Sequence, residues 1–147
     1  MNVKQISVFL EDKPGTLHGI ISTLDEKNIH IRGFTAVDIG GMTILRLIVN
    51  NVMWTAAALK EAGIPSTFTE VLVAEIAGGE SGLVRLLDIL KDANINIRHV
   101  YPILNENPIQ FGQNVFMVFE VNDNAKAVDV LTHNGVKVLT HEELAAL

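Results

Sequence analysis

The stretch Asp12-Lys13-Pro14-Gly15-Thr16-Leu17 groups the residue types from which a small-molecule site can be built. It joins an alternating apolar run to a helical stripe, which makes it a strand-to-helix turn. Pro fixes φ there, and Gly accepts conformations closed to other residues. The first turn of a helix exposes unpaired N–H groups and the positive end of the helix dipole, which suits an anion such as a carboxylate. Gly15 lets a ligand approach the backbone closely, and Asp12 can accept hydrogen bonds from a ligand ammonium. N–H donors for a carboxylate beside an acceptor for an ammonium suit a free amino acid. A structural turn, with Asp12 capping the helix and Pro14-Gly15 only shaping the chain, is the competing account. Local physics leaves both open.

Other chemistry finds less support. The five histidines, His18, His30, His99, His133 and His141, show no HxxxH or HExxH spacing, and the chain has no cysteine. Neither a metal site nor thiolate chemistry is therefore expected. Gly78-Gly79-Glu80-Ser81-Gly82 is glycine-rich but lacks the Lys of a phosphate loop. Ser7, Ser22, Ser66 and Ser81 have no nucleophile-elbow context or evident partner base. We expect no enzyme activity, cofactor or metal.

The elements that must position the first loop occur twice. Leu17, Ile20, Ile21, Leu24, Asn28, Ile29, Ile31 and Arg32 return sixty-six positions later as Leu83, Leu86, Leu87, Leu90, Asn94, Ile95, Ile97 and Arg98. Such a duplication predicts two similar modules, 1–70 and 71–147. Val3–Glu11 alternates as a strand, and Leu17, Ile20, Ile21 and Leu24 form a helical stripe. Asn28–Ile39 and Met42–Val49 read as strands around a Gly40-Gly41 hairpin, and Val52–Ala62 as a helix. Thr67–Ala77 is a β-branched run without a break. The second module repeats the order through a helix from Gly82, strands Ile95–Leu104 and Val115–Val121, a helix Asn124–Asn134 and a short strand Val136–Leu139. Asn105–Gln113 lengthens its hairpin connection. Each unit reads as βαββαβ, an α+β, ferredoxin-like α/β sandwich, with antiparallel sheets joined side by side.

Composition narrows the partners. The net charge of −6, from mixed charges, argues against nucleic acid. An RNA-binding reading of the βαββαβ order would need aromatic and basic residues on the open sheet face. No apolar run approaches the roughly 18–20 residues that span a bilayer, and no signal-like stretch opens the chain, so a cytoplasmic, membrane-free protein is expected. Apolar content of 48%, with mean hydropathy of +0.31, points to a further buried surface. Leu72/Ala74/Ile76 and Phe116/Val118 lie in strands apolar on both faces, which predicts a homodimer covering the non-helical face.

With the loop, the helix stripe, Asn28-Ile29-His30-Ile31 and the internal duplicate together, the chain resembles a tandem ACT domain protein. The resemblance covers nearly its whole length. It implies a regulatory sensor, free of catalytic function, that binds an amino acid at the seam between two modules and signals to a separate regulated enzyme or through oligomerisation. It also implies that, in the loop Asp12-Lys13-Pro14-Gly15-Thr16-Leu17, residues Asp12, Gly15, Thr16 and Leu17 face Asn94, and that Asn28 faces Gly79-Glu80-Ser81. The second loop departs from the family pattern, with no Pro and a Gly where the polar residue belongs. A ligand-free structural dimerisation module is the alternative function, ahead of RNA binding.

Overall fold

A computed structural model describes residues 2–104 and 114–147; the connection predicted over Asn105–Gln113 lies outside them. The chain divides into two compact units, Lys4–Thr69 in one and Met1–Val3 with Glu70–Leu147 in the other.

The first unit contains β1 (Val3–Glu11), α1 (Thr16–Glu26), β2 (Ile31–Ile39), β3 (Met42–Val49) and α2 (Val52–Glu61). β3 pairs antiparallel with both β1 and β2. The period of two puts Ile6, Val8 and Leu10 of β1 on the same face as Leu45 and Leu47 of β3. That face packs on Ile20 and Leu24 of α1 and on Ala58 and Leu59 of α2. Burial of this kind contributes roughly 1.5–3 kcal/mol per large side chain. Gly40 and Gly41, with φ of 59° and 86°, supply the two left-handed positions that a type I′ hairpin needs.

β4 (Ser66–Ile76) runs unbroken through the boundary between the units. The second unit continues with α3 (Glu80–Asp92), β5 (Ile97–Pro102), β6 (Val115–Val121), α4 (Asn124–His133) and the short α5 (His141–Ala145). β6 pairs antiparallel with β4 and β5. Leu72, Ala74 and Ile76 of β4 pack with Leu86 and Leu90 of α3 and with Ala127 and Leu131 of α4.

Three expectations need correction. The strand predicted from Asn28 begins at Ile31, because Asn28 has φ of +57° and cannot belong to a strand. Val136–Leu139 is reduced to a bridge between Ala74 and Val138, with Leu139 N–H donating to the Val73 carbonyl at 2.8 Å. Glu75 N–H donates to the Lys137 carbonyl at 2.9 Å beside that bridge, and Thr140 then caps α5. The non-helical face of β4, β6 and β5 is not open: Val73, Val118, Phe116 and Tyr101 are all buried. Past α4 the chain adds Leu139, Leu144 and Leu147, likewise buried and outside the helix-side core. Thr140 and Glu143 form a reciprocal capping box that sets the α5 turn carrying Leu144. Two-sided apolarity in these strands is satisfied within the chain and no longer argues for a dimer.

Candidate functional site

The two repeated loops leave their helices bare. α1 opens at Gly15, with φ of 86°, and α3 opens at Gly79, with φ of 66°; no side chain caps either. The other described helices are capped: Asn51 accepts from Trp54 N–H, Asp123 from Lys126 N–H and Thr140 from Glu143 N–H. Asp12 therefore is not the cap that a purely structural turn would make of it. Thr16 N–H donates to the Lys13 carbonyl at 3.3 Å, and Gly19 N–H to the Gly15 carbonyl at 2.9 Å. Leu17 and His18 N–H find no partner among the described residues. Orphan donors of this kind are the ones an anion satisfies.

The rest of the first loop is anchored and open. Asp12 N–H donates to the Gly41 carbonyl at 3.3 Å, tying the loop to the hairpin tip. Lys13 pairs with Glu11 at 2.7 Å, both side chains exposed, and the hydrogen-bonded ammonium holds the Glu11 carboxyl below the usual range. Asp12, Pro14 and Gly15 are exposed, and a Cβ added at Gly15 would meet nothing within 4 Å. That open space admits a ligand to the backbone.

Asn28 and Asn94 end the same helices that the loops begin. Each sits just past its helix in the left-handed region, with φ of 57° and 58°. Asn28 N–H donates to the Asp25 carbonyl and Ile29 N–H to Leu24; Asn94 N–H donates to Lys91 and Ile95 N–H to Leu90. This is the Schellman motif, made twice. The following residues are clamped by a second repeated asparagine. Asn50 Oδ1 accepts from His30 N–H at 3.1 Å, and Asn122 Oδ1 accepts from Asn96 N–H at 3.0 Å. Sequence reasoning missed Asn50 and Asn122, although their recurrence after Val49 and Val121 was a readable signal. Within a unit the loop and its asparagine lie at opposite helix ends, about 16 Å apart along the 11-residue α1 and about 20 Å along the 13-residue α3. Neither unit brings its own loop and asparagine onto one small ligand.

Concave surface accompanies these features. A groove of about 580 Å³ lies at the start of α3, bounded by Gly79 and Glu80 and walled by Ile76, Leu83, Val115 and Met117. Asn114, at its edge, donates through Nδ2 to Glu75 Oε1 at 2.7 Å. These wall residues come from three separate elements, so no local motif announced them. A groove of about 590 Å³ flanks α1 between Leu17, Ile21 and Ile31, and carries His18, Asp25 and His30. Its smaller counterpart on α3, about 260 Å³, is lined by Leu87, Ile97, Lys91 and Asn94. Among the described residues no cluster of His, Asp and Glu could hold a metal ion, and no helix is long and apolar enough to cross a membrane.

Two units, each an antiparallel sheet backed by helices and each with a bare, glycine-opened first helix, define a pair of small ferredoxin-like modules. The chain belongs to the ACT domain pair family, whose model matches residues 1–147. It is similar in structure to protein BT0572 from Bacteroides thetaiotaomicron, at 26% identity and TM-score 0.88, covering 100% of this chain and 98% of that one. It shares its fold with the ligand-free regulatory subunit of aspartate kinase from Thermus thermophilus, at 12% identity and TM-score 0.62, covering 90% and 93%. The corresponding subunit from Thermus flavus gives 12% identity and TM-score 0.60, covering 90% and 92%. No match is found among curated proteins.

Proposed function

We propose that this ACT domain pair is a regulatory protein that senses a free amino acid at the seam between modules 1–70 and 71–147. Its output passes to a separate enzyme or through self-association in the cytoplasm. What carries the reading is the bare N-terminus of α1: unpartnered Leu17 and His18 amides, open space over Gly15, and Asp12 exposed beside them. The α-carboxylate takes the amides, and Asp12 takes the ammonium. Asn94 completes the site by orienting the ligand, as the duplication predicts. Asn28, with Gly79, Glu80 and Ser81, makes the weaker second site.

Calorimetric titration with each of the twenty amino acids tests this. We expect saturable binding of at least one. A charge-assisted hydrogen bond contributes roughly 1.5–3 kcal/mol, so Asp12→Ala should weaken that binding by about tenfold or more. Absence of binding by every amino acid, or an unchanged affinity in Asp12→Ala, would sink the proposal.

A further inference from the structure

The two repeated asparagines are not held alike. The peptide between Lys27 and Asn28 is planar, so turning it changes ψ of the first residue and φ of the second together. Its N–H end is tied by the Schellman bond, Asn28 N–H to the Asp25 carbonyl at 3.0 Å. Its carbonyl end is tied as well, because Trp54 Nε1 donates to the Lys27 oxygen at 3.1 Å from α2. A plane pinned at both ends resists rotation, and this one keeps Asn28 at φ of 57°. In the second unit the corresponding plane lies between Ala93 and Asn94. Asn94 N–H donates to the Lys91 carbonyl at 2.9 Å, but no side chain reaches the Ala93 carbonyl among the described residues. Lys126 stands there in the place of Trp54, three residues past the Asp123 cap as Trp54 is past Asn51.

The donor is itself firmly seated. Asn51 Oδ1 accepts from Trp54 N–H at 2.9 Å, and the Thr55 hydroxyl donates to the Asn51 carbonyl at 2.8 Å. Thr55 is fully buried, so the first turn of α2 is fixed against the core and the indole projects from a rigid base. With 51% of Trp54 exposed, packing uses only part of the ring, whereas its one ring donor is committed to Lys27. A second tie between the same helices, Lys27 Nζ to Glu61 Oε2 at 3.4 Å, is solvent-exposed at the Glu61 end and holds little. The indole therefore carries the connection from α2 to the turn that bears Asn28.

We propose that Trp54 is a positioning residue for the Asn28 site: from α2 it holds the Lys27–Asn28 peptide and so aims the Asn28 amide at a bound amino acid. The inference rests on the reading of Asn28 as a ligand residue, and the first arm of its test needs no ligand. Trp54→Phe keeps an aromatic ring and removes the N–H. In this variant hydrogen exchange of the full chain should be about fivefold faster at the Asn28 and Ile29 amides, the change one neutral hydrogen bond supports, and unaltered at Asn94 and Ile95. The second arm titrates the chain with each of the twenty amino acids. Trp54 is its one tryptophan, so binding at Asn28 should shift the emission of the wild type. By calorimetry, Trp54→Phe should weaken that binding about fivefold and Asn28→Gly about tenfold. The double variant should be no weaker than Asn28→Gly alone, because the indole acts only through the amide. Binding that depends on Asp12 should not change, and each variant should melt cooperatively. Exchange at Asn28 and Ile29 indifferent to Trp54→Phe overturns the proposal. So does emission unmoved at saturation, a double variant in which the two losses add, or an equal loss at the Asp12 site; all of these leave amino-acid sensing in place. Absence of binding by every amino acid overturns the sensing function, and the ligand role of Trp54 with it.

Discussion

Replacing Asn94 separates what the backbone asks of that position from what a ligand asks. Its φ of +58° is a conformation that costs an ordinary L-residue roughly 1–2 kcal/mol and costs glycine nothing. Asparagine tolerates it better than most. Asn94→Ala keeps the conformational demand while removing the tolerant side chain, so it should destabilise the fold by about 1 kcal/mol. Asn94→Gly removes the strain, and the extra freedom of glycine in the unfolded chain offsets the gain to within about 0.5 kcal/mol. For a chain of this length the alanine variant should melt about 3 °C lower and the glycine variant close to wild type. Urea denaturation with unchanged slope gives both differences directly. Amino-acid titration should then be read on Asn94→Gly, whose fold is intact. If its affinity falls about tenfold, the amide contacts ligand; if not, Asn94 is only a helix terminator. An alanine variant as stable as wild type, or a glycine variant much less stable, would refute the conformational reasoning.

Two further outcomes bear on the second unit. A Cβ at Gly82 would sit 1.8 Å from the Ala77 carbonyl oxygen, so Gly82→Ala must push the start of α3 off the end of β4. Its denaturation midpoint should fall by an amount equivalent to about 1–3 kcal/mol, the usual cost of overpacking. Asn124, at the start of α4, stands where the first unit has Val52 packed on the core, and both of its side-chain polar atoms are buried without a partner. Asn124→Val should raise the melting temperature, by roughly 1 kcal/mol of recovered desolvation, unless that amide has a use the fold itself does not reveal.

What could be read in the sequence was local. The period of two in β1, the stripe of α1 and the Gly40-Gly41 hairpin each declare themselves within a dozen residues, and their recurrence identifies the family. Asn28 misled because a single left-handed residue followed by Ile29 and Ile31 looks, in one dimension, like the start of a strand. Leu72, Phe116 and Val118 announced strands buried on two sides, but nothing in their spacing says what buries them. The burial of Leu144, in the short α5, could not be read from periodicity either. The groove beside Gly79 was illegible for a related reason, since Ile76, Leu83 and Met117 meet only through the tertiary fold.

The four long helices make one further comparison available inside a single molecule. α2 and α4 end at Gly63 and Gly135, with φ of 72° and 78°, and each repeats the Schellman pattern through Ile64 and Val136. α1 and α3 end in the same motif but carry asparagine at the left-handed position. The backbone demand is the same at all four, and glycine meets it at lower steric cost. Neither the Asn28 nor the Asn94 side chain has a hydrogen-bond partner among the described residues, so local bonding does not account for the choice. The helices that keep asparagine are those whose N-termini are bare; the helices that use glycine are those capped by Asn51 and Asp123. The two properties travel together through the duplication, as expected if a bare start and an amide-bearing end belong to one ligand-binding design shared between modules. Glycine at Asn28 and Asn94 should therefore leave the fold in place while removing that design's second half.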